Sequence, residues 1–204
     1  MPLNVAHRQA LETFGKLNPL VAANKSGAEY SDGRFSLRLL HRNFAISHPE
    51  GKVVEVRTES ATPLSIQVLL LHYLIHATGA SIADRWVAFR ELPGAYLVER
   101  KFDPMAIIPL TRIFGKDIQG FRRAGLALGG IPMDRAGDAA FRFLALPRLP
   151  LACILYLGEE EIPASVNVLF DASAPEYLPT EDLSILGLHL ATSLIKLGEG
   201  KASA

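Results

Sequence analysis

Asn167-Val168-Leu169-Phe170-Asp171-Ala172-Ser173-Ala174-Pro175-Glu176-Tyr177-Leu178-Pro179-Thr180-Glu181-Asp182-Leu183 reads as an apolar strand that ends on an aspartate and turns into a helix. Thr180 stands at the position of a helix cap, and Glu181 and Asp182 suit the positive end of a helix dipole. Leu183, Leu186, Leu190, Leu194 and Leu197 then follow helical spacing, so one stripe of the helix faces a sheet before Gly198 ends it. Asp171 has two readings. It is a turn residue bonding locally with Ser173, or a working carboxylate at a strand end.

Working back from this stretch, Ala139 to Leu146, Leu151 to Leu157 and Val166 to Phe170 read as three strands, separated by Pro147-Arg148-Leu149-Pro150 and by an acidic loop around Glu159-Glu160-Glu161. Asp117 is expected to cap a helix reaching Leu128, and Asp103 to Phe114 to form another. Trp86 to Arg90 reads as a strand ahead of the turn Leu92-Pro93-Gly94. Thr62-Pro63 opens a segment, Leu64 to Ala77, that is apolar on nearly every face and therefore predicts a buried central helix, stopped by Gly79.

Nearer the start, Arg34 to Leu39, Asn43 to Ser47 and Lys52 to Arg57 alternate with the two-residue period of strands, with His48-Pro49-Glu50-Gly51 as a turn. Residues 5–23 predict two short helices broken at Gly15 and Asn18-Pro19. Strands in two groups, with helices between and after them, predict an α+β fold. The expected architecture is a single domain over residues 1–204: two groups of mostly antiparallel short strands packed with a buried central helix and a C-terminal helix.

Composition narrows the class of protein. The chain of 204 residues is 49% hydrophobic, enough for a substantial core, and its 21 basic and 21 acidic residues cancel. Nothing supplies the basic excess of a nucleic-acid binder. Cys153, the only cysteine, lies within Leu151-Ala152-Cys153-Ile154-Leu155 and reads as a buried thiol in a reducing compartment. The first residues lack the order of a signal peptide, and charges or breakers interrupt each long apolar run. The expectation is a cytoplasmic protein without nucleic-acid or membrane partners.

Chemistry has few places to reside. His72 and His76 are four residues apart on the central helix, so both imidazoles can face one way, as metal or haem ligands would. Tyr73 stands where a zinc protease needs glutamate, and spacing marks no third ligand. The alternative is that His72 is a hydrogen-bonded core histidine and His76 lies near the exposed helix end. Arg90 and Glu91, ahead of a proline–glycine turn, either aim a guanidinium at an anion or form an ion pair that holds the turn. Asp138 and Arg148 flank a strand. Buried charges need partners, which suggests Asp138 with Arg148, or Asp171 with Arg90. No nucleophile elbow, P-loop or dinucleotide fingerprint is present.

Gly27-Ala28-Glu29-Tyr30, Gln67 to Leu74, Phe89-Arg90-Glu91-Leu92-Pro93-Gly94, Asp138-Ala139-Ala140-Phe141, Pro147 to Leu151 and Leu169 to Leu183, in this order, resemble the DUF3786 family over nearly the whole chain. The resemblance implies a domain of unknown function from anaerobic bacteria and archaea, sometimes joined to a small iron–sulfur domain like those of corrinoid proteins. It implies cytoplasmic work beside redox or one-carbon enzymes. One cysteine cannot ligate a cluster with the usual four thiolates, so a cluster would lie on an iron–sulfur or corrinoid partner.

The leading expectation is a small-molecule or cofactor-binding accessory domain whose apolar pocket carries His72, Arg90, Glu91, Asp138, Arg148 and Asp171 as its sparse polar contacts. A tetrapyrrole or corrinoid would suit Arg90 and Arg148 at its carboxylate arms and His72 as axial ligand. The competing expectations are an enzyme using Asp171 or Glu91 with His72 in acid–base chemistry, and a protein-interaction module without a pocket.

Overall fold

Alternation of apolar and polar residues builds the first of two antiparallel sheets in the computed structural model, which describes residues 2–58, 61–97 and 99–200. In β2 (Arg34–Leu39) the side chains of Phe35, Leu37 and Leu39 are buried while Arg34, Ser36 and Arg38 are exposed, as a half-buried strand requires. It pairs with β1 (Glu29–Ser31) and β3 (Arg42–Ser47), and β3 pairs with β4 (Val53–Glu55), giving the order β1-β2-β3-β4. The expected meander had three strands. The fourth, β1, arises because Asp32 and Gly33 adopt φ of 50° and 70°, the left-handed pair of a tight hairpin turn that brings Tyr30 opposite Phe35.

The second sheet has the order β5-β9-β8-β7-β6, from β5 (Trp86–Ala88), β6 (Ile131–Pro132), β7 (Ala139–Leu146), β8 (Leu149–Tyr156) and β9 (Ser165–Asp171). The central strand β8 is buried from Leu149 to Leu155, which explains its unbroken apolar run and places Cys153 inside the protein. The Leu40 amide donates to the Ala145 carbonyl at 2.8 Å and ties the first sheet to the second.

Helices cover these sheets. α1 (Leu3–Phe14) packs along α3 (Leu64–His76), and α2 (Pro19–Ser26) also touches α3. α3 buries Ile66, Val68, Leu69, Leu70, Leu71, Tyr73 and Leu74, so its all-round apolarity marks a central helix. The segment Glu99 to Phe114 is helical in three parts: α4 (Glu99–Phe102), a π-helical stretch (Asp103–Ile107) and α5 (Ile108–Phe114). Pro109 has no N–H to continue the ladder, a physical cause for the wider turn before it. α6 (Ile118–Ala127), capped by Asp117 as expected, and α7 (Thr180–Glu199) pack together. Gly187 permits a close approach: a Cβ there would lie 2.7 Å from the Phe102 ring and 3.0 Å from Phe170.

Three local expectations change. Phe89–Glu91 is a short 3-10 turn rather than strand, because the Glu91 carboxylate accepts the Ala88 amide at 2.6 Å and curls the chain back. Thr180 is inside α7 rather than capping it; its hydroxyl donates to the Pro93 carbonyl at 2.6 Å and fastens α7 to the Leu92–Gly94 turn. α3 likewise starts after Pro63 without a side-chain cap, and the Thr62 carbonyl instead accepts the Gln67 side chain at 2.7 Å. Two groups of antiparallel strands, a buried central helix and a C-terminal helix make this an α+β fold around one continuous apolar core.

Candidate functional site

α3 is buried along most of its length, but His72 is partly open and His76 is exposed near its end. Asp182, in the first turn of α7, is 5% exposed, and its Oδ2 lies 2.6 Å from His72 Nδ1. A carboxylate in this place is favoured by the α7 dipole and by a charge-assisted hydrogen bond. The ionised carboxylate can only accept, so Nδ1 carries the proton and Nε2 is left as the available nitrogen. Among the described residues no group bonds Nε2, and the His72 side chain retains 20% exposure, which keeps this nitrogen within reach of a ligand.

The His76 ring stands 5.6 Å from that of His72, at an interplanar angle of 74°. Partial desolvation of its ring lowers the His76 pKa, the nearby His72 lowers it further, and Asp182 opposes both. His76 is therefore a neutral imidazole near pH 7, able to accept a proton or a metal. Two imidazoles and one carboxylate, from two helices, thus form a compact polar cluster on an otherwise apolar seam. Among the described residues, no group of three or more His, Cys, Asp or Glu is arranged to hold a metal by itself. Any metal here would need water or a ligand in its remaining positions.

The other residues singled out in the sequence have separate tasks. Asp171 is fully buried; its Oδ1 accepts the Ala83 amide at 2.9 Å, the Ser173 amide at 2.9 Å and the Ser173 hydroxyl at 2.5 Å. Burial pushes its pKa up, but the bonds from Ser173, Ala83 and the Arg85 backbone outweigh this and hold it below the usual carboxylate range. The geometry is that of the turn reading: Asp171 fastens the loop before β5 to its own turn. Its expected partner Arg90 does not meet it. Arg90 instead sits exposed on the 3-10 turn, at a cleft of about 120 Å³ shared with Phe89, Phe102, Asp103 and Asn167.

Asp138 and Arg148 do not pair either. Asp138 Oδ2 accepts the Leu157 amide at 2.7 Å, and its carbonyl accepts from Arg122 at 3.3 Å, beside an open cleft of about 400 Å³. The Arg148 amide donates to Tyr73 Oη at 3.0 Å, and its guanidinium donates to the Asn24 carbonyl at 3.2 Å. That carbonyl belongs to the last turn of α2, where orphan acceptors favour a cation. Gly27, at φ 73°, leaves room for it; a Cβ there would stand 3.3 Å from the Arg148 side chain. Tyr73 Oη in turn donates to the Ser26 carbonyl at 2.7 Å, and the Tyr73 ring stacks on Tyr177. Among the described residues, Arg90, Glu91, Asp138, Arg148 and Asp171 share no hydrogen bond or ion pair with one another or with His72.

From its neighbours in sequence Asp182 is only a helix-dipole acid, yet it is the partner that His72 requires. Its position carried a signal: it lies four residues before Leu186 and eight before Leu190, on the same buried stripe of α7. A carboxylate on an apolar stripe needs a partner from another element, and a histidine on an apolar helix needs the same.

No helix among the described residues is long and apolar enough to cross a membrane. No curated protein and no solved structure matches the chain. A family model described as Domain of unknown function (DUF3786) matches residues 18–193, from the start of α2 to the last turns of α7, and includes the His72, His76 and Asp182 cluster. The chain belongs to the DUF3786 family.

Proposed function

We propose that this chain is a cytoplasmic cofactor-binding accessory domain that offers the free nitrogen of His72 to the metal of a bound ligand. The observation that carries the proposal is the 2.6 Å contact between His72 Nδ1 and the buried Asp182 carboxylate. Metal-ligating histidines characteristically donate their other N–H to a carboxylate, which fixes the ring and strengthens the donor nitrogen. Tetrapyrroles and corrinoids belong to this ligand class, since their metal accepts one axial imidazole on a face, and so do simpler metal complexes. The role suits work beside an iron–sulfur or corrinoid protein of anaerobic redox or one-carbon metabolism. Arg90 and Arg148 lie in separate contact sets, so the proposal rests on His72 alone.

Absorbance spectra of the purified protein, titrated with haem and with cobalamin, test the reading. A spectral shift at micromolar ligand that His72→Ala removes is the expected result. Spectra that do not change with either ligand, or that change equally in His72→Ala, count against these two cofactors as ligands of His72.

A second reading is an acid–base enzyme, and the same contact favours it. With Asp182 orienting the ring, Nε2 of His72 would serve as the general base and neutral His76 as the neighbouring proton acceptor. In this reading the orienting carboxylate is Asp182; Asp171 and Glu91 are engaged by backbone amides.

A further inference from the structure

We infer that His72 and His76 together take one first-row transition-metal ion, such as nickel, copper or zinc, through two imidazole nitrogens, with Asp182 fixing His72 from behind and the remaining positions open to solvent or to a partner's ligand. The inference rests on the proposed role of His72 as a metal donor and narrows the ligand to an ion that accepts two neighbouring imidazoles. Residues four apart lie one above the other on a helix face, so both rings emerge on one side of α3. A macrocycle offers one axial position per face, whereas a free ion accepts both rings at once.

The distances fit such an ion. With metal–nitrogen bonds of about 2.0–2.1 Å, each ring centroid lies about 3.2 Å from the metal, and a tetrahedral angle then separates the centroids by about 5 Å. The observed separation is 5.6 Å. His76 is exposed at the surface, so the ion has a direct way in. Imidazole donors suit zinc, copper and nickel. The other described acids and histidines do not complete a three-ligand group, so the open positions belong to water or to an incoming ligand.

Tag-free full-length protein, stripped with chelator and titrated calorimetrically with Zn²⁺ and then with Ni²⁺, tests this, with imidazole NMR as the second readout. A single ion is expected to bind and to move the His72 and His76 ring resonances while leaving His189 unmoved. His76→Gln, a surface change, and His72→Gln should each weaken binding at least about tenfold. Asp182→Asn should weaken it by about 10- to 100-fold through the orienting bond. Zn²⁺ binding that His76→Gln leaves intact and His72→Gln abolishes overturns the two-imidazole site while retaining His72 as the donor. Binding unchanged in His72→Gln overturns the two-imidazole site, while the spectral titration decides the role of His72 toward a cofactor, and no binding of either ion up to millimolar concentration overturns the inference. Should His72→Gln fail to fold, His76→Gln alone decides the two-imidazole site.

Discussion

His72 and Asp182 meet at 2.6 Å although 110 residues separate them along the chain, and their bond joins the C-terminal half of α3 to the first turn of α7. The carboxylate is buried and the imidazole partly so, which makes the pair an element of stability as well as a candidate site.

Removing the carboxylate should therefore be felt in folding. Asp182→Ala strands the His72 N–H and is expected to lower stability by about 1.5–3 kcal/mol, the usual value for a hydrogen bond to a charged group. Asp182→Asn keeps an acceptor and should lose less. Urea denaturation of both variants measures the difference; equal stability of Asp182→Ala and the parent protein would show that the bond contributes nothing to folding.

Asp171 should behave as a fastener. Asp171→Ala leaves the Ala83 amide and the Ser173 amide and hydroxyl without their acceptor. The two Ser173 groups are buried, and at roughly 1–3 kcal/mol per buried group left unmade the loss should reach about 2 kcal/mol or more. Chemical denaturation measures it. A variant that folds with nearly full stability but loses ligand binding would restore the reading of Asp171 as a working carboxylate.

A separate acid-sensitive contact lies in the first sheet. Arg42 donates to both oxygens of Glu55, at 2.8 Å and 2.6 Å, and Thr58 adds a bond at 3.0 Å. These bonds, chiefly those of Arg42, bring the Glu55 pKa down from 4.5 to about 2. A lowered carboxylate pKa contributes stability that is present above the unfolded value and is lost as pH falls through the folded one. Thermal melts should show that contribution disappearing between pH 4.5 and about 2, and Glu55→Gln should flatten the curve in that window. An identical pH profile in the variant would refute the assignment.

Cys153 should resist chemistry in the folded protein. It is fully buried at the centre of β8, and burial pushes its thiol pKa up, so the reactive thiolate is suppressed. A thiol reagent is expected to label it only as fast as the protein opens, and rapidly in denaturant. Prompt labelling under native conditions would contradict this.

Much of the architecture was legible because it is written in local periodicity. The alternation of Phe35, Leu37 and Leu39, the all-round apolar run of α3 and the leucine stripe of α7 each predict an element from residues close in sequence. Errors fell where a side chain formed a distant or reciprocal bond in place of the expected local one: Thr180 to Pro93, and Glu91 back to Ala88. β1 and β6 lack an apolar run of their own: β1 is Glu29-Tyr30-Ser31, and β6 is only Ile131-Pro132.

The candidate site was only half legible. His72 and His76 could be named because helical spacing alone places them together, but Asp182 is 110 residues away and carries a local explanation as a helix-dipole acid. Residue spacing along the backbone alone specifies the α+β class, the central helix, the buried thiol and the pairing of two histidines on one helix face. Tertiary structure decided which charges meet: it gave His72 to Asp182, Arg148 to the end of α2, and Asp171 to a loop. Such pairings depend on how helices and sheets pack against one another, and the cost of burying an unpartnered charge requires a partner without naming it.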